Sequence, residues 1–291
     1  MNRSKIITAT ALATVMTAGA AHAEMSISGL YKGSISDNPG AATSHDLSTN
    51  SIYVSYSDAM DNGMGVGVTM SVTAGAITTT IGIDTGFGTI DLGNGGDSAV
   101  DDADGNPADF SQPHGGTLGL TFADGDSQSG NSIKYSSPSM SGLTFQATRG
   151  FDDGTNAATN SVAAQYSIMG LSLKGGVSSL DVKDPNGTDT DPSFMTAAYS
   201  IAGLNLGYAV YDNDVSTGDE ETAMGVSTDV AGMTVGVRFA ELDTSTVDTD
   251  FMNVSINKSM GAMSFGVDYL ETDASNAAAT DQITFSYAVG F

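Results

Sequence analysis

Asp281-Gln-Ile-Thr-Phe-Ser-Tyr-Ala-Val-Gly-Phe291 ends the chain and decides its fold class. Ile283, Phe285, Tyr287, Val289 and Phe291 share one parity, and Gln282, Thr284, Ser286, Ala288 and Gly290 share the other. A β-strand sends alternate side chains to opposite faces, so this segment carries one apolar, aromatic face and one small, polar face. In a soluble domain a terminal strand with a bare apolar face frays. A membrane β-barrel holds such a strand, because its last strand pairs with its first and abolishes the sheet edge.

The same two-residue period runs back through the sequence and predicts sixteen strands. The first sets Met25, Ile27, Tyr31 and Ile35 against Ser26, Ser28, Lys32 and Ser34. The next three carry Ile52, Val54 and Tyr56, then Val66, Val68, Met70 and Val72, then Ile77, Ile81 and Ile83. The fifth, Phe87 to Leu92, is short. Ile133 and Tyr135 mark the sixth, Leu143 and Phe145 the seventh, Val162 and Tyr166 the eighth, Leu171 and Val177 the ninth. The rest fall at 194–201, 204–212, 222–230, 233–240, 250–258, 262–270 and the terminal segment.

Connection lengths alternate. Short ones hold a glycine, as in Asp61-Asn62-Gly63, Met169-Gly170, Ala202-Gly203 and Ala231-Gly232. Longer, acidic ones fall between them, at 36–50, 93–130, 150–159, 179–193, 213–221, 241–249 and 271–280, with 74–76 short out of turn. Tight turns at one rim and long loops at the other are the pattern of an outer-membrane barrel. The polar parity, rich in Ser, Thr, Gly and Asn, suits a water-filled lumen. Alternation alone also fits a secreted or surface-attached β protein, such as a sandwich or solenoid used as an adhesin, whose greasy face is a core.

Residues 1–23 read as a cleaved secretory signal: Arg3 and Lys5, an apolar run, then Ala21-His22-Ala23. Removing two of the nine basic residues and none of the 34 acids moves the formal charge from −25 to −27. Such acidity excludes nucleic acid as a partner, which needs a basic surface, and attracts cations. The absence of cysteine excludes disulfides and thiolate metal sites. No later run is long and apolar enough for a membrane helix. His45 and His114 are the histidines left, and no nucleophile elbow, zinc-protease helix or phosphate loop accompanies them, so the chain does not read as an enzyme.

Three stretches resemble the Gram-negative general porins, in particular the sixteen-stranded alphaproteobacterial type. They are Thr85-Gly-Phe-Gly-Thr-Ile-Asp-Leu-Gly93, Asn131-Ser-Ile-Lys-Tyr-Ser-Ser-Pro138 with Gly142-Leu-Thr-Phe145, and the terminal strand. The resemblance implies an all-β transmembrane barrel in the outer membrane, assembled as a homotrimer among outer-membrane lipid, that passes small hydrophilic solutes and ions. It implies a third external loop, here Gly93–Gly130, folded into the lumen. It also makes Tyr287 and Phe291 a signal to the outer-membrane assembly machinery. The chain departs from the family in keeping only Arg149 and Arg238 after the signal, where family pores often hold a basic cluster opposite an acidic loop. The short 74–76 connection also leaves little chain to latch a neighbouring subunit.

The expected constriction joins loop residues Asp97, Asp101, Asp102, Asp104 and Asp109 with Lys32, Lys134, Lys174 and Arg238, which parity places in the lumen. Carboxylates around a narrow aqueous passage concentrate cations, so the expectation is a cation-preferring diffusion pore; a substrate-specific channel is the alternative. Asp102, Asp104 and Asn106 have D-x-D-G-N spacing, the beginning of a calcium turn without its terminal glutamate; no other cofactor is implied.

Overall fold

The computed structural model describes residues 24–37, 42–73, 76–94, 98–105, 107–108, 131–151, 158–180, 191–213 and 219–291. Sixteen strands follow in order: β1 (Glu24–Asp37), β2 (Ser44–Ala59), β3 (Gly65–Thr73), β4 (Ala76–Asp84), β5 (Thr89–Asn94), β6 (Asn131–Ser136), β7 (Leu143–Gly150), β8 (Thr159–Ile168), β9 (Leu171–Leu180), β10 (Ser193–Ile201), β11 (Leu204–Asp212), β12 (Glu220–Val230), β13 (Met233–Asp243), β14 (Asp248–Met260), β15 (Met263–Ala274) and β16 (Thr280–Gly290). Each pairs antiparallel with the next, and β16 pairs with β1, so the sheet is a closed barrel. One short helix, α1 (Asp101–Asp104), lies between β5 and β6.

The parity of each strand now has a direction. Ile52, Ile77, Val162, Met195, Phe239 and Ile283 stand on the exposed face. Ser34, Ser51, Ser132, Ser178, Thr196 and Ser286 stand on the other and are buried. In a closed sheet the crowded, concave face is the inner one. The apolar parity therefore looks out to lipid, and the polar parity lines the bore.

The seam between first and last strand is glycine against aromatic. Phe291 and Gly29 exchange both backbone hydrogen bonds, at 2.8 and 3.1 Å. The Phe291 ring lies over Gly29, where a Cβ would sit 2.2 Å from it, and the Tyr287 ring lies over Gly33 in the same way, at 2.7 Å. Both glycines clear space for rings that cover the seam from outside. Tyr287 also hydrogen-bonds His45 at 2.9 Å, tying β16 across β1 to β2.

Three tight turns take the chirality of a hairpin without its usual asparagine. Met169, Ala202 and Ala231 hold φ of 48°, 51° and 53°, each followed by a positive-φ glycine. Two successive positive φ values make the turn twist that matches paired strands.

Several strands outrun their expected ends. β2 begins at Ser44 inside the expected 36–50 loop, β5 runs to Asn94 beyond Leu92, and Phe87 lies in the preceding turn. β13 reaches Asp243 and β14 starts at Asp248, leaving four residues where nine were expected to be loop. The reason is physical. Above the lipid band the outward side chain meets water, so Glu241, Asp243, Asp248 and Asp250 continue a strand without apolar alternation. In β2 the pairing also slips between Lys32 and Ser34, where β2 holds one extra residue, and that bulge breaks its period. Residues 109–130 of the expected 93–130 loop lie outside the described residues.

Candidate functional site: the bore and the segment seated in it

The inner face of the barrel differs from one side to the other. On β8 and β10–β13 it carries Ala163, Phe194, Ala209, Tyr211, Ala223 and Ala240, which are buried together with Ala99, Val100, Ala103 and Ala108. The described residues between β5 and β6 thus rest on the bore side of the sheet, and α1 touches β8, β9 and β10. Small wall residues permit the approach. At Gly207 an added Cβ would fall 2.2 Å from the carbonyl oxygen of Pro107, so the segment lies directly on bare backbone there. Polar contacts fix its position. The Ala99 amide donates to Thr148 Oγ1 at 2.9 Å. The Tyr211 hydroxyl donates to the carbonyl of Asp104 at 2.7 Å.

The described residues of the inner wall include the ion pairs Lys134–Asp102 and Arg238–Glu221. Lys134 of β6 meets Asp102 of α1 at 2.5 Å, with side chains 14% and 28% exposed. Gln146 of β7 donates to the same carboxylate oxygen at 3.1 Å. Asp91 of β5 stands directly across from Lys134 in the sheet register. The second pair, Arg238 of β13 with Glu221 of β12, also spans 2.5 Å but is only 3% and 1% exposed. Burial of both charges makes each dependent on the other, since either alone would be a dehydrated ion.

A family model described as Gram-negative porin matches residues 8–290. The chain belongs to the Gram-negative porin family. Among solved structures, a loop-deletion form of OmpT, an outer membrane protein of Vibrio cholerae, aligns with TM-score 0.73 and 15% identity over 92% of this chain and 99% of that one. An anion-selective porin from Comamonas acidovorans aligns at 0.72 and 13%, over 92% and 100%. A mutant of Rhodobacter blastica porin aligns at 0.70 and 16%, over 92% and 100%. At such identities these structures share the fold. No curated protein matches the chain. Family and fold point to an outer-membrane channel rather than an enzyme.

Within the porin, the expected site residues separate into groups. Asp101, Asp102 and Asp104 come together on α1, while Asp97, Asp109, Asn106 and His114 lie outside the described residues. Lys134 reaches Asp102, as an expected wall cation facing an expected loop acid. Lys32 and Lys174 take the inward parity, on β1 and β9, half the ring apart. Arg238 is inward too, yet it is no free cation of the passage: Glu221 neutralises it inside the wall. Asp102 gives its carboxylate to Lys134 and Gln146. Among the described residues no group of three acids or histidines has the spacing of a metal site.

Sequence reading missed Glu221, which fell in an expected loop, and Asp91, in the short fifth strand, whose few residues do not fix its faces. It also missed the apolar seat. Tyr211 carried a signal for it, because it breaks the outward aromatic parity of Tyr208 and Val210 on the same strand.

Proposed function

We propose that this porin is a passive, water-filled diffusion channel for small hydrophilic solutes and ions, that the segment between β5 and β6 narrows its bore, and that the passage prefers cations. The supporting observation is the pairing of inner-wall bases. Arg238 is cancelled by Glu221 and Lys134 by Asp102. Lys32 and Lys174 share the inward parity with Asp46, Asp84, Asp91 and Asp229. A net negative lining raises the local cation concentration and repels anions. The fold does not decide the sign by itself, since the Comamonas relative is described as anion-selective. Here the small number of arginines, Arg149 and Arg238 after residue 23, supports the cation reading.

The channel reading is tested by refolding the mature chain into planar bilayers and liposomes. Stepwise, ohmic current and size-limited uptake of neutral sugars are expected. A sealed membrane would overturn it, and saturable block by a single solute would favour a substrate-specific channel. Chemical cross-linking of the folded protein in detergent tests the homotrimer that the family implies; a single-chain band would contradict it. Asp102 would have to leave Lys134 to bind calcium, so calorimetric titration is expected to register no calcium heat.

A further inference from the structure

Tyr53 is out of keeping with its part of the inner wall. It pairs with Ser28 and Ser71, so it takes the inward parity of β2, and it is half-buried. The other aromatics of inward parity on the described strands are Phe194, Tyr211 and Phe251. The first two are buried in the apolar seat, and the third packs against it. Tyr53 has no such surroundings. Its neighbours on the inner face are serines: Ser51 and Ser55 along the strand, Ser28 and Ser71 across it. Ser51 and Ser71 give their hydroxyls to Thr73 and Thr78. A ring that fills a wall touches apolar side chains. A ring among serines overtops them and stands in the bore.

Its place in the barrel is equally particular. β2 and β10 lie eight strands apart in the ring of sixteen, so Tyr53 looks across the bore at the wall on which the segment rests. The register can be followed from Tyr53 through Lys134 of β6 to Gly207 of β11. With strands tilted about 40° and about 4.8 Å apart, that path leaves Lys134 and Gly207 within about 5 Å of Tyr53 along the barrel axis. Lys134 holds Asp102 of α1, and Gly207 carries Pro107. The ring and the segment therefore enter the bore at one level, from opposite sides.

We propose that Tyr53 is the opposing jaw of the constriction and that its bulk sets the largest neutral solute that passes. The proposal rests on the diffusion-channel reading and adds to it a residue that acts by size. A phenol ring brings width without formal charge, so steric cut-off and ion preference reside in different residues of the same passage.

The folded barrel, selected by its mobility before heating, is compared as wild type, Tyr53→Ser, Tyr53→Phe and Tyr53→Trp. Single-channel conductance is read in planar bilayers, and liposome swelling is read with glucose and with raffinose. Tyr53→Ser, which matches the surrounding serines, is expected to raise conductance about 1.5-fold and the raffinose-to-glucose swelling ratio about threefold. Tyr53→Phe keeps the ring and should leave both at the wild-type values. Tyr53→Trp enlarges the ring and should lower both. The reversal potential in a potassium chloride gradient should be the same in all of them. Unchanged conductance and swelling ratio in Tyr53→Ser, beside a conducting wild type, overturn the jaw and leave the channel reading standing; a sealed wild-type barrel overturns both. A Tyr53→Phe barrel that behaves like Tyr53→Ser overturns the proposal, because the hydroxyl and not the ring would then be at work. So does a shifted reversal potential in Tyr53→Ser, which would mean that the change acts through displaced charges. If Tyr53→Ser does not fold, Tyr53→Trp decides, and wild-type conductance there overturns the proposal.

Discussion

Two stretches of the inner wall face each other across the bore, and they solve different problems. On β8–β13 the wall is dry: small apolar residues, two aromatics and a buried ion pair form a seat for residues 98–105, 107 and 108. On β16 and β1–β4 it is polar. Ser36 meets Thr284 at 3.1 Å, Ser51 meets Thr73 at 2.8 Å, and Ser71 meets Thr78 at 2.5 Å, in ladders of hydroxyls across neighbouring strands. The dry side positions a segment by apolar packing, and the polar side lines the bore with hydroxyl ladders. A barrel that conducts needs both, because a wall of hydroxyls alone offers no place to dock a constriction.

The contrast breaks most severely at the buried pair. Arg238→Met removes the cation that faces the buried Glu221 carboxylate and is expected to destabilise the barrel by about 3–5 kcal/mol. Adding Glu221→Leu should recover most of that loss, read as the urea midpoint of unfolding from vesicles. Equal loss in single and double variants would show that the pair is not the cause. Gly207→Val pushes a side chain into Pro107 and should cost about 1–3 kcal/mol. It should also unseat the segment, so single-channel current becomes larger and noisier; unchanged current would mean that the segment does not limit flow.

At the edge between the two walls, Lys134→Gln removes the partner of Asp102. The expected stability change is small, up to about 1 kcal/mol, because the pair is partly exposed. Its effect on permeation is larger in kind, since it frees a carboxylate and should raise potassium over chloride. On the polar wall itself, Ser71→Ala is expected to cost about 0.5 kcal/mol or less, because water replaces the lost hydroxyl contact. A large loss there would place Ser71 in a dry environment and erase the distinction.

The barrel was legible because alternation is a local signal repeated in strand after strand, and because Asp281–Phe291 needed a partner that Met25–Ile35 supplied. Strand ends were less so: charges such as Glu241 and Asp248 read as loop, although they belong to strand above the lipid. The inner wall resisted more. Parity places Arg238 inward but does not reveal that Glu221, seventeen residues earlier, cancels it. Nor does alternation distinguish an inward alanine that lines water from one, such as Ala209, that is buried in the apolar seat. That difference depends on where a long connection returns to the wall, which no local pattern encodes. The closing strand shows the reverse. The fit of Phe291 on Gly29 and Tyr287 on Gly33 follows from a register that pairing of the two ends imposes.

The net negative bore is the claim on which the functional reading turns. Its most direct test is the reversal potential of the refolded wild-type channel across a planar bilayer in a potassium chloride gradient. A potential of the sign set by potassium, growing in Lys134→Gln, is the expected result. A potential of the sign set by chloride, or none at all, would contradict it.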